Sequence, residues 1–169
     1  MKDGFIKVAA AVPRIKVADT AYNAEQVIKC IREAAEKEVE ILAFPELCLT
    51  GSTCGDLFYQ RMLLEGAGEA LWSVVSATKG VDMLVFVGMP LSVRGRLYDV
   101  AAAIYSGDLL GFVPLTNVKR SRFSRPPSGM VEVELAGFDT VFLNPDLLFE
   151  YEMQPGLAVA VQLGADKEM

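Results

Sequence analysis

The chain has 169 residues, 52% of them hydrophobic and 22% charged, with a net charge of −6 and no histidine. That size suits one domain burying about 70% of its unfolded surface, and the acidic balance excludes nucleic acid as a partner, since phosphate binding relies on a basic face. The missing histidine excludes serine triads, Cys–His dyads and histidine zinc sites.

The longest apolar run, Met83 to Val93, is broken by Gly88 and Pro90 and falls well short of the roughly 20 residues a membrane span needs, so no membrane partner is expected. The start lacks the basic and long apolar regions of a signal peptide. Three cysteines, Cys30, Cys48 and Cys54, form no disulfide-framework spacing and suit a reducing cytoplasm.

In chain order, Phe5 to Val12 is an apolar, β-branched run ended by Pro13, and it reads as a central strand. Asp19 or Thr20 then caps a helix between Ala21 and Lys37, where Ala24, Val27, Ile28, Ile31, Ala34 and Ala35 recur at spacings of three and four. Ile41 to Phe44 is a short buried strand that completes a βαβ unit. Pro45 removes the next backbone donor, so the ladder stops and Glu46 sits at a strand's carboxyl end. In open α/β sheets that edge binds ligands, and a carboxylate there suits a general base. The alternative is a capping or salt-bridging glutamate.

Phe58 to Lys79 carries Leu63, Leu64, Ala67, Leu71, Trp72 and Val75 at helical spacing. Met83 to Gly88 is the third strand of a parallel set with Phe5–Val12 and Ile41–Phe44. A meander follows, Leu84–Met89, Leu97–Tyr105 and Leu109–Val113, with turns at Arg94-Gly95-Arg96 and Ser106-Gly107-Asp108. The basic run Lys119 to Arg125 reads either as a phosphate site with Phe123 as stacking surface or as a solvated loop, and the following prolines and glycine favour the loop. Val131, Val133 and Leu135 alternate with polar residues and pair across Ala136-Gly137 with Thr140 to Leu143. Leu147 to Glu152 continues the sheet, and Leu157 to Leu163 is the last strand.

Two segments, FPELCLTG at Phe44–Gly51 and TCGDLF at Thr53–Phe58, closely resemble the carbon-nitrogen hydrolase (nitrilase) superfamily, and within it the amino-terminal glutaminase domains of glutamine-dependent NAD synthetases. One departure is Ser52, where that family has tyrosine. The resemblance runs from GFIKVAA at Gly4 to LLFEYE and PGLAVAVQ near the end. It implies an α/β fold of the α-β-β-α sandwich type, truncated here, with residues 1–169 forming a single partial domain.

The same resemblance implies that Glu46 is the general base. The family's Val-Pro-Lys, whose lysine stabilises the tetrahedral intermediate, reads Val113-Pro114-Leu115 here, and a short segment that follows it in the family is missing after Asn117. The family's Glu-Ile-Cys-Glu-Asp, which supplies the nucleophile, reads Gln162-Leu163-Gly164-Ala165-Asp166. Two of three catalytic positions, Leu115 and Gly164, are thus altered, and Lys119 and Cys54 are the candidate stand-ins. Cys48 and Cys54 also read as small buried hydrophobes that shape the loop.

Glutamine hydrolysis supplying ammonia is therefore the resembled activity, and this chain is expected to lack it. The alternatives are a non-catalytic structural or regulatory oligomerisation module, or a fragment of a longer synthetase. No cofactor is expected in this domain; ATP, magnesium and the NAD precursor belong to the family's separate synthetase domain. Expected partners are a homo-oligomer, a synthetase domain and, for an active chain, glutamine.

Overall fold

The computed structural model describes residues 5–118, 122–150 and 158–161. In chain order the elements are β1 Val8–Ala10, α1 Thr20–Glu36, β2 Ile41–Ala43, a 3-10 helix Gly55–Tyr59, and α2 Arg61–Ala77. Then come β3 Leu84–Val93, β4 Arg96–Tyr105, β5 Asp108–Pro114, β6 Val131–Val133, β7 Val141–Leu143, β8 Phe149–Glu150 and β9 Ala158–Val159. No helix among the described residues is long and apolar enough to cross a membrane.

Seven strands form one sheet in the order β1-β2-β3-β4-β5-β7-β6. β1, β2 and β3 are adjacent and parallel, as the βαβ pattern requires, with Val8 beside Ile41 and Ile41 beside Leu84. From β3 to β5 the sheet turns antiparallel. Its two tight turns place Arg94 and Gly95, then Ser106 and Gly107, in the left-handed region, the backbone that matches the twist of a two-residue hairpin.

Period-two alternation sorts the sheet into two faces. Val85, Val87, Met89 and, on β4, Tyr98, Val100, Ala102 and Ile104 pack with Val27 and Ile31 of α1 and Leu71 and Val74 of α2. Asp19 caps α1 by accepting a hydrogen bond from the Tyr22 amide at 3.1 Å. The opposite face carries Leu84, Phe86, Ala103 and Val113, covered by Phe149 of β8 and by Val159. Phe149 meets Phe86 edge to face at 5.7 Å.

Three expectations are corrected. The run Phe5–Val12 is not a central strand: only Val8–Ala10 joins the ladder, and its outer side has no strand among the described residues. The β8–β9 cover is centred on β3 to β5, so Val8 stays 66% exposed and Val12 84%. The Leu147–Glu152 segment does not extend the main sheet; Phe149–Glu150 pairs with Ala158–Val159 in a separate two-stranded sheet, and residues 151–157 lie outside the described ones. Trp72, placed on the apolar stripe of α2 by its spacing, is half exposed at the turn that carries Gly137.

Candidate functional site

The loop from Pro45 to Gly51 turns back over the end of β3. Phe44 N donates to Phe86 O at 2.9 Å and Leu49 N to Gly88 O at 3.2 Å, so the chain leaves β2 still bonded to its neighbour. Leu47 sits at φ +51, a left-handed position that a leucine rarely adopts. It is held by Gly51 N and Thr50 N, which donate to Leu47 O at 2.7 and 3.1 Å. Gly88 is required under this loop, because a Cβ there would collide with Pro45 O and Leu47 N. Asn23 of α1 fastens the far end: its Nδ2 donates to Lys16 O and Leu49 O at 2.8 and 3.1 Å, and Lys16 N donates to its Oδ1 at 2.7 Å.

Glu46 rides on this braced turn at the carboxyl end of β2, with its side chain in solvent. Directly beneath, on the helix-free face, β4 carries Asp99, which is 3% exposed. Asp99 lies across from Pro90 on β3. On its other side the ladder continues past Val100 and Pro114, and Leu115 N donates to Asp99 O at 2.8 Å. Leu115 is therefore the cross-strand neighbour of Asp99 and shares its face.

Asp99 Oδ1 is buried without a hydrogen-bond partner. The residue lies between two apolar clusters, Leu97 with Leu47 and Phe58 on one side and Ala103 with Phe86 and Val113 on the other. Burial pushes its carboxyl up to about 7, and the Glu46 charge adds to the rise. Sequence reading missed Asp99. Its signal was one acidic residue in the otherwise apolar run Leu97 to Ile104.

The remaining candidates are placed as follows. Cys54 is buried and its thiol donates to Thr50 O and Gly51 O at 3.2 and 3.4 Å; burial raises its pKa. Cys48 donates to Gly88 O at 3.5 Å, and burial pushes its thiol up to about 12. Both environments hold sulfur as the unreactive thiol. Lys119 and Gly164 lie outside the described residues. Arg122 is bound to Asp56 at 3.2 Å and Phe123 meets Phe58 edge to face at 5.2 Å; Arg120, like Lys119, lies outside the described residues. Among the described residues no group of three or more His, Cys, Asp or Glu is arranged to hold a metal ion.

The carbon-nitrogen hydrolase family model matches residues 7–156, and the chain belongs to that family. The relatives it resembles include the glutamine-dependent NAD(+) synthetases of Mycobacterium leprae, 32% identical, and of Mycobacterium tuberculosis strain H37Rv, 29% identical. Each alignment covers 96% of this chain and 25% of the synthetase, so the chain spans a quarter of the length of these relatives. Among solved structures, a glutamine-dependent NAD(+) synthetase from Cytophaga hutchinsonii superposes with a TM-score of 0.78 at 24% identity, covering 87% of this chain and 26% of that one. An amidase from Nesterenkonia sp. does so with a TM-score of 0.63 at 13% identity, covering 85% and 56%. The mixed sheet with helices on one face is thus the fold shared with these two structures.

Proposed function

We propose that this chain is a catalytically silent carbon-nitrogen hydrolase domain, related to the ammonia-supplying glutaminase part of glutamine-dependent NAD synthetases. The observation that carries this reading is Leu115, an aliphatic residue bonded to Asp99 O at 2.8 Å on the strand end beside Asp99, whose carboxyl feels the Glu46 charge; by the resemblance a lysine would stand there to stabilise an oxyanion. Amide hydrolysis through an acyl-enzyme needs a nucleophile, a base and positive charge where the oxyanion forms. Of these only the base, Glu46, has a candidate in place. Gly164 brings no nucleophile, and the buried thiols of Cys48 and Cys54 are poor substitutes. The domain, taken as residues 1–169, needs no cofactor of its own in this reading; ATP, magnesium and the NAD precursor would belong to a synthetase domain.

A second reading, in which the chain works as one portion of, or beside, a longer synthetase, is favoured by its quarter-length match to those relatives. The exposed Phe5, Val8 and Val12 at the β1 edge support a partner there, either a second copy or a synthetase domain. The cysteine usage supports a cytoplasmic location. Ammonia release from glutamine tests the first reading: the wild-type chain should give none above background. Turnover above about 0.1 per second, against a typical enzyme median of about 10 per second, would overturn it.

A further inference from the structure

Asp99 is a buried carboxyl that the fold does not use. Every other fully buried polar side chain in this part of the sheet has a structural partner: Asn23 holds Lys16 and Leu49, and Thr78 donates to Val75 O and accepts from Gly107 N. Asp99 Oδ1 has none, and an unpaired buried acceptor of this kind is costly to keep. Among the described residues the other acid beside it is Glu46, and with both carboxyls ionised the pair presents acceptors and no donor. The missing piece is a group with several N–H donors and a positive charge.

We propose that Asp99 and Glu46 form a binding site for a primary ammonium group, carried by a small amine from solution. The ammonium would donate to the buried Asp99 oxygen from below the Glu46 turn while Glu46 closes the site from the solvent side. Its carbon end would lie against Leu115 and the apolar neighbours Ala101 and Val113. A divalent cation is a worse fit, because two carboxylates without a third ligand do not complete its shell. The inference does not depend on whether the chain hydrolyses an amide.

Among the described residues the groups that set the charge here are few. The β2 exit contributes Glu46 and the neutral thiol of Cys48, β3 contributes Pro90, and Leu115 follows the end of β5. The segment bonded to Leu97 O through Ser124 N carries Arg122, held by Asp56, and Arg125, which is exposed. An ammonium binds the ionised form of Asp99, so its affinity should rise with pH up to the Asp99 midpoint and fall about tenfold per pH unit below it.

The experiment is a carboxyl 13C NMR titration of the full chain in methylammonium chloride and, separately, in potassium chloride at the same ionic strength. Potassium matches the charge without the N–H donors. Methylammonium should lower the Asp99 midpoint by about one pH unit or more, potassium should not, and Asp99→Asn should abolish the methylammonium-specific rise in melting temperature. Leu115→Lys, which tethers an ammonium at the neighbouring position, should lower the same midpoint and block methylammonium. Equal responses to the two salts would overturn the proposal, and that comparison needs no variant. So would an Asp99→Asn protein that still responds to methylammonium, or a Lys119→Ala protein in which the Asp99 midpoint rises, since the chain's own lysine would then already fill the site.

Discussion

The two sides of the candidate site are built to different standards. On the β2 side, Pro45 stops the ladder, Leu47 is locked in a left-handed turn, Gly88 makes room for the backbone, and Asn23 ties the far end with three hydrogen bonds. On the β4–β5 side, Asp99 has an orphaned oxygen and its neighbour is an aliphatic Leu115. The first side is a scaffold fastened by named backbone and Asn23 hydrogen bonds. The second is a place where a charge partner is missing. The turn is required for packing, since Gly88 and Asn23 hold it in place, and it presents the Glu46 carboxylate whether or not Asp99 has a charge partner.

The difference can be broken hardest at Gly88. Gly88→Ala drives a methyl group into Pro45 O and Leu47 N, backbone atoms that cannot move without unpicking the turn. Chemical denaturation should show a loss of about 3 kcal/mol or more, in the range of severe overpacking. Asn23→Ala removes three bonds and leaves Leu49 O without its partner; a loss of about 2–3 kcal/mol is expected. If either variant proved neutral, the turn would not be the braced element described.

The opposite sign is expected across the sheet. The folded Asp99 carboxyl is raised from 3.8 to about 7, so between those values the native state holds a proton that the unfolded state has lost. Stability contributed by this group is fully present at low pH and is lost as pH rises toward 7 and above. Asp99→Asn removes the dependence, and at pH 8 it should stabilise the protein by an amount on the order of 1–3 kcal/mol. Unfolding free energies of both proteins between pH 4 and pH 8 check this. The smallest effect belongs to Glu46→Gln. The side chain is exposed, so stability should change by no more than about 0.5 kcal/mol, while the Asp99 midpoint moves down because a like charge has gone.

Much of the β2 side was legible in the sequence. A short apolar run, a proline and a glutamate in succession dictate a strand, its end and a carboxylate placed at that end, and local chemistry decides each step; the exposure of that carboxylate came only from the structure. The edge position of β1 was not legible, because Phe5–Val12 is apolar on both faces whether or not a neighbour covers it. Nor was the departure of β8 from the main sheet, which depends on where Phe149 finds Phe86 rather than on its own alternation. Asp99 was hidden for a related reason. Its meaning comes from Pro90, Leu115 and the Glu46 turn, which are contributed by three other segments, and nothing within Leu97 to Ile104 announces them.

The central claim is that a hydrolase scaffold stands here without a working nucleophile. Intact-mass spectrometry of the wild-type chain, quenched in acid after incubation with excess glutamine, tests it most directly. The account predicts an unchanged mass, with Cys30, Cys48 and Cys54 all unmodified. A glutamyl adduct localised by peptide mapping to any one of those three cysteines would contradict it.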